Sequence, residues 1–399
     1  MSTLNFKGSA VRLILQASLF ASMAMGSSQA LSSGNGDLRV MTYNVDEGTD
    51  FLEVQQARTT SEFLIAVGQT ITQLRATQPR KRMKAIARQI IDAAPTLVSL
   101  QEMDQWSSGP FDPVTSSCGP MTIEFDMVQD LLDALAAQGA HYAIAIRQQQ
   151  FAIPPVPGLI PSSSFLCASV VNNVVLLART DLEPARFQWS NPQSGTYQAT
   201  LYFPTPLGTL LLPRAWVSVD ATFHGKAFRF IGTHLEFADL GLRRLQGVEL
   251  RVGPGSTQLP VIVAMDSNAQ AEPLPLDPAY VDFIGAGYQD AWAERDQTVA
   301  GDHDAWAERD QTVAGDHHAW AERAHSAAGF TCCQAQLLNN VESQLTQRID
   351  LILTKGPIKV QNVALFGADS PSKTSTGLWP SDHAGVAAQL EISESRSSR

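Results

Sequence analysis

Long hydrophobic runs are missing from this sequence beyond its first thirty residues. No later segment reaches the roughly eighteen uninterrupted apolar residues of a membrane-spanning helix, so the mature chain is expected to be soluble. Cysteine is scarce too: Cys118, Cys167, Cys332 and Cys333 show no C-x-x-C spacing, which argues against a zinc site. Positive charge is in short supply, with 28 Lys and Arg against 39 Asp and Glu and a formal net charge of −11. Such a surface disfavours non-specific adhesion to nucleic acid or anionic lipid. It still admits a phosphate substrate, because a divalent cation can supply local positive charge. A long linker is absent as well, since Pro and Gly are dispersed along the 399 residues. With 44% hydrophobic residues the chain can bury a substantial core, and it reads as one large domain.

What is present starts at the N-terminus. Lys7 and Arg12 precede an apolar run, Leu13 to Met25, which small residues close up to Ala30. This is the three-part pattern of a secretory signal. Cleavage near Ala30 would leave 31–399 as a single secreted or periplasmic domain. In an oxidising compartment Cys118 and Cys167 are candidates for a disulfide. Pairing of either with Cys332 or Cys333 is equally open, whereas adjacent cysteines seldom bond each other.

From Leu38 onward, short β-branched or alternating segments alternate with helical periods. "LRVMTYNV", "PTLVSLQE", "HYAIAI", "NNVVLLART", "RAWVSVDATFHG", "KAFRFIGTHLE", "LPVIVAMDSN", "RIDLILTKG" and "AGVAAQLEI" read as strands. Helical periods fall between about Val54 and Ala94, in Ile123 to Gln138 and in Leu240 to Arg251. Many strands lie only a turn apart, which predicts mixed, mostly antiparallel sheets with helices outside, an α/β (α+β) fold. Between Asp290 and Gly329 the 14-residue unit "DAWAERDQTVAGDH" repeats identically from Asp304 and then decays. Solenoid units are longer than this, so the segment reads as a tandem duplication inserted at 290–329. Asp302, His303, Asp316, His317 and His318 within it could form a cation site, on compositional grounds alone.

The informative regularity lies at the strand ends, which finish on residues able to bind metal or phosphate. Asn44, Glu102, His234, Asp266 and Asn268 close strands, Asp350 opens one, and Asp382 with His383 precedes the last. Each has an ordinary alternative: a turn residue, a helix cap, an interior histidine, a surface ion pair. Their recurrence at equivalent positions points instead to one site on a rigid sheet. Hard divalent cations take oxygen ligands, a role that suits Asn44, Glu102 and Asp382. Asp266 and Asn268, two apart on one face, could hold and deprotonate a water. His383, oriented by Asp350, and His234 from another strand could donate to phosphoryl oxygens. Arg214 could clamp a phosphate with its planar fork.

The ordered series "TYNV", "LQEMD", "NNVVLLAR", "GTHLE", "MDSNA", "RIDLIL" and "SDHAGV" resembles the endonuclease/exonuclease/phosphatase superfamily. That group includes DNase I-like nucleases, abasic-site endonucleases, neutral sphingomyelinases and inositol polyphosphate 5-phosphatases. The similarity runs from about Leu38 to Ile392. It implies a four-layer α/β/β/α sandwich and cleavage of a phosphate ester with Mg2+, or alternatively Mn2+ or Ca2+. Residue by residue, Asn44 and Glu102 look like metal-site residues and His234 like the histidine of the "TH" strand. Asp266 looks like the water-handling acid and Asn268 like the phosphate-binding amide. Asp350 looks like the orienting acid, followed by the closing pair Asp382 and His383. The usual "GDFN" reads "AMDSN" here. Asn172 and Asn173 stand where some nucleases place an acid against the "TH" histidine. The "GFTCCQ" segment and the export signal resemble a bacterial secreted branch.

The expected function is therefore a secreted, monomeric, metal-dependent phosphodiesterase, with nucleic acid favoured as substrate. A sphingomyelinase-like or inositol-phosphate activity is the alternative, for which the apolar stretch Gln149 to Phe165 could supply a lipid-binding loop or hairpin. A non-catalytic scaffold of the same fold is a third.

Overall fold

The computed structural model describes residues 37–160, 164–299 and 329–393. In chain order its strands are β1 (Leu38–Asn44), β2 (Leu97–Gln101), β3 (Gln105–Asp112), β4 (Ser117–Cys118), β5 (Thr122–Asp126), β6 (Tyr142–Leu159), β7 (Phe165–Arg179), β8 (Phe187–Thr196), β9 (Leu201–Thr205), β10 (Gly208–Leu212), β11 (Ala215–Phe223), β12 (Lys226–His234), β13 (Val261–Asp266), β14 (Gln289–Asp290), β15 (Asp350–Lys355), β16 (Ile358–Phe366) and β17 (Gly385–Ile392). Its helices are α1 (Leu52–Gln56), α2 (Thr60–Ala76), α3 (Pro79–Ala93), α4 (Met127–Ala136), α5 (Leu240–Val252), α6 (Pro278–Gly285) and α7 (Ala291–Val299).

One sheet runs β16-β17-β1-β2-β7-β3-β4, with β6 also paired to β7 and β5 to β3; the other runs β14-β15-β13-β12-β11-β8. The parallel pairs among the described strands are β1 with β2 and β12 with β13. Successive side chains of a strand point to opposite faces, and here the two faces have different partners. Leu38 and Val40 of β1 pack with Phe228 and Phe230 of β12 and Ile262 of β13 in a core between the sheets. Met41 and Tyr43 pack the other way, with Met83, Ile86 and Ile90 of α3 and Leu131 of α4. On the far face of the second sheet, Ile231, Val263 and Leu351 meet Leu250 of α5 and Phe283 of α6. These three cores make a four-layer α/β/β/α sandwich, as the sequence predicts. Each fully buried Phe or Ile between the sheets stabilises it by about 1.5–3 kcal/mol.

Local chemistry sets the element ends. Thr59 and Glu62 form a reciprocal capping box at α2, and Pro79 opens α3 at a position where its missing N–H is harmless. The helical period expected over Val54–Ala94 is thus three helices. The helix expected from Ile123 begins only at Met127, because Thr122–Asp126 pairs with β3 and Asp126 caps α4. Gln149 to Leu159 is no loop: it continues β6, paired along β7 as a long hairpin arm.

Cys118 and Cys167 form a disulfide between β4 and β7, with a Cα–Cα distance of 5.8 Å. The remaining pair, Cys332 and Cys333, contact one another, the pairing that the sequence argued against. The repeat also enters the fold earlier than expected. Asp290 pairs in β14, and Trp292 of α7 is buried in the inter-sheet core. The N-terminal stretch expected to be a secretory signal, Trp306, Trp320 and the Asp/His cluster at 302–318 lie outside the described residues.

Candidate active site

Strand parity brings the polar strand ends together. Asn44 continues the Leu38–Val40 face of β1, His234 the Phe228–Phe230 face of β12, and Asp266 the Ile262–Ala264 face of β13. Register finishes the job: His234 lies opposite Asp266, and Asp266 opposite Asp350, across three adjacent strands. All of them therefore look inward, at one end of the sandwich.

The contacts form one connected network. Asn44 donates through Nδ2 to Glu102 Oε1 and to Asp266 Oδ2, both at 2.9 Å. Its Oδ1 accepts the Asp46 N–H at 3.0 Å, which fixes the amide orientation and turns the NH2 group towards the carboxylates. Glu102 also accepts the Glu47 N–H at 2.9 Å. His383 donates from Nδ1 to Asp350 Oδ2 at 2.7 Å, and its Nε2 lies 4.0 Å from Asp266. On the other side of Asp266, His234 Nε2 is 3.4 Å away. Asn268 donates to the Leu235 carbonyl and lies 3.0 Å from His234 Nε2.

The loop Pro380–His383 is tied to this end of β1. Ser381 donates to the Asn44 carbonyl at 2.8 Å and accepts the His383 N–H at 3.0 Å. Fully buried Arg82 on α3 binds the Val45, Asp46 and Pro380 carbonyls, so one side chain pins both segments. Backbone strain marks the same place. Glu102, Asn268 and Asp46 all adopt left-handed conformations, with φ of 58°, 49° and 62°. Non-glycine residues take such conformations at a cost, and where they cluster the surroundings must hold them.

Electrostatics separates the two histidines. Burial and the Arg214 guanidinium push His234 well below the usual imidazole range, leaving it neutral. This corrects the expectation that His234 acts as a protonated donor. Burial also works against charge on His383, but Asp350, Asp382 and Asp266 outweigh it and hold its pKa well above the ordinary value. Burial, then repulsion from Asp350, raises Asp266 to about 6. Asp382 keeps 31% of its side chain exposed. Desolvation by the surrounding protein still pushes its carboxyl up to about 8, with Asp46 and Glu102 adding repulsion. Asp46, Glu47 and Asp104 are raised as well, chiefly by burial and also by Glu102.

Arg214 reaches the site, but not as a free clamp. Its Nη1 donates to His234 Nδ1 at 3.0 Å and its Nε to Glu236 Oε2 at 3.4 Å. That arrangement partners His234 without any acid at 172 or 173. Asn172 instead donates to Glu47, and Asn173 to the Met103 carbonyl. Asp46, Glu47, Asp104, Arg82 and Glu236 were not singled out from sequence. Asp46 and Glu47 directly follow "TYNV", Asp104 ends "LQEMD" and Glu236 ends "GTHLE", which was the available signal.

Two groups of side chains in this network have ligand atoms within 4.8 Å of one another: Glu102, His234 and Asp266, and Asp266, Asp350 and His383. A third group, Cys332, Cys333 and His383, adjoins them.

No family model matches the chain, and no curated protein matches it in sequence. Solved structures do match. An endonuclease/exonuclease/phosphatase family protein from Leptotrichia buccalis C-1013-b superposes with a TM-score of 0.50 at 15% identity, covering 89% of this chain and 100% of that one. The chain has the endonuclease/exonuclease/phosphatase fold. A functionally unknown conserved protein from Enterococcus faecalis V583 matches with a TM-score of 0.50, 14% identity and the same coverage. The mannosyl-6-phosphatase Bt3783 of Bacteroides thetaiotaomicron VPI-5482 matches at 0.49 and 16% identity, over 89% of this chain and 100% of its own.

Proposed function

We propose that the chain is a divalent-metal-dependent hydrolase of phosphate esters. The observation that carries the reading is the single cluster of hydrogen bonds and close charged contacts joining Asn44, Glu102, His234, Asp266, Asp350 and His383 at the inner ends of facing strands. The donor set fits a hard divalent cation such as Mg2+, with Mn2+ or Ca2+ as alternatives. Several carboxylates crowd together with raised pKa values, and Asp350 Oδ1 is buried without a partner. Oxygen donors suit such ions. Glu102 would hold the cation, with Asp382 beside it, while Asn44 ties Glu102 to Asp266. When bound, the cation neutralises this crowding and spreads the charge that develops on the phosphoryl oxygens.

The remaining chemistry belongs to the side chains. Asp266 accepts the proton of the attacking water. Asn268, on the αL turn after β13, orients that water or a phosphoryl oxygen. His383, kept protonated by Asp350, donates from Nε2 to a phosphoryl oxygen or to the leaving oxygen. Neutral His234, braced by Arg214, fills the other flank and leaves Asp266 free to take a proton.

Incubating the purified protein with plasmid DNA, RNA, sphingomyelin and inositol phosphates, with Mg2+ or with EDTA, tests the reading. Turnover of at least one substrate that EDTA abolishes is expected; metal-independent or absent turnover of all of them counts against it. Nucleic acid is on the panel because of the motif order, although the net charge of −11 weighs against it. Export is proposed too, supported by the N-terminal charge and hydropathy pattern and by the Cys118–Cys167 disulfide.

A further inference from the structure

We propose that the phosphate ester taken by this site carries an aliphatic chain, seated in an apolar cleft that leads away from Glu47 and Arg214; this rests on the phosphoesterase reading above. The cleft is partly open to solvent and holds about 160 Å³ of accessible space along an apolar lining. Its walls come from α1 and α2, the β6–β7 arm and the β9–β10 ribbon, with Phe63, Trp106, Phe151, Phe203 and Leu210 among the lining side chains. The charged residues on its surface are Glu47, Asp50, Arg214 and Glu236.

Three of those four connect it to the candidate site. The Glu47 N–H binds Glu102, Arg214 binds His234, and Glu236 binds Arg214. An ester placed with its phosphorus among Asp266, His383 and Glu102 therefore has one exit lined with hydrocarbon. The ribbon makes the same point independently. β9 and β10 pair only with each other, outside both large sheets. Leu201, Phe203, Leu210 and Leu212 face the cleft, while Tyr202 and Leu211 face outward, 70% and 52% exposed. A free two-stranded hairpin is marginal in water, and side chains that line a void forgo dispersion contacts that a ligand would restore. Nucleic acid does not suit this path. Its phosphates need cations along the track, and Arg214, the one basic group among the described residues that line the cleft, is already engaged by His234 and Glu236.

In the reaction, the water oxygen bonds to phosphorus, the ester P–O bond breaks, and the departing oxygen leaves as an alcohol with a proton. Methyl p-nitrophenyl phosphate and octyl p-nitrophenyl phosphate, both below micellar concentration with Mg2+, separate the chain from the chemistry. The octyl ester is expected to show a kcat/KM at least about tenfold higher, since each buried methylene favours binding severalfold. Phe203→Asp, or Leu210→Gln if the first fails to fold, should bring that ratio close to one while methyl ester turnover is unchanged. Equal kcat/KM for the two esters, or a ratio that survives both substitutions, overturns the assignment of the cleft. No turnover of either ester defeats the phosphoesterase reading instead. Calorimetry on the metal-free protein then decides the cleft alone: octylphosphonate binding where methylphosphonate does not supports it, and no binding of either overturns it.

Discussion

Two histidines flank one buried aspartate, and their surroundings drive them to opposite charge states. Burial, reinforced by Arg214, favours neutral His234, while Asp350 and its neighbouring acids favour protonated His383. Asp266 between them can accept a proton without competing for one that His383 already holds. Asp266→Asn and His383→Ala should each lower kcat by about a hundredfold or more, the usual scale of acid–base contributions, in steady-state assays. Asp350→Asn removes both the acceptor that orients His383 and the largest charge that keeps it protonated, so a loss of about tenfold or more is expected, with the limb of the pH profile on which His383 loses its proton moved to lower pH. The same crowding has a thermodynamic side. Metal-free Asp266→Asn should melt at or above the wild-type temperature in calorimetry, because one buried carboxylate no longer faces Asp350. Part of this site was legible in the sequence, because Asn44, His234 and Asp266 each end a strand on a residue able to bind metal or phosphate. Asp46, Glu47 and Asp104 escaped notice because they follow strand ends, where left-handed turns redirect the chain and parity no longer applies. The charge state of His234 was unreadable too, since it depends on burial and on Arg214, twenty residues earlier in the chain and just before β11.

At the scale of elements, the sequence failed where tertiary pairing overrides local preference. Pro154, Pro155 and Pro157 left a loop or a hairpin open; among the described strands β6 pairs with β7 alone, and an edge strand accommodates proline through a bulge. The register shift between Ile153 and Val156 is that bulge. The β9–β10 ribbon went unforeseen for a related reason: its pattern alternates between two apolar faces and lacks a polar one. Lower in the sandwich, Gly232 sits two residues before His234, where the sheets approach closely. A Cβ there would lie 2.5 Å from Ser99 Oγ and 3.1 Å from Val217 Cγ2. Gly232→Ala should therefore cost about 1–3 kcal/mol in urea unfolding, as overpacking does, and should lower activity by displacing His234. Replacing Cys118 and Cys167 by Ser should cost about 2–4 kcal/mol by the same measurement, since the disulfide closes a long loop.

Over the whole molecule, a cation that binds only the folded form must also stabilise it. Mg2+ should raise the thermal midpoint of the wild type and raise that of Glu102→Gln less, whatever the substrate proves to be. The duplicated segment offers a second, independent test of how the architecture tolerates change. Trp292 is locked in the inter-sheet core, and Gly329 packs directly against its ring, so the two flanks of the repeats meet. Excising Asp304–His317 removes one complete repeat and leaves both of these flanks in place. The urea midpoint of that deletion should match the parent. Natural selection would then scarcely register how many copies are present, and recombination between identical units is free to add or drop them, so close kin of this gene should differ in repeat number while sharing everything on either side.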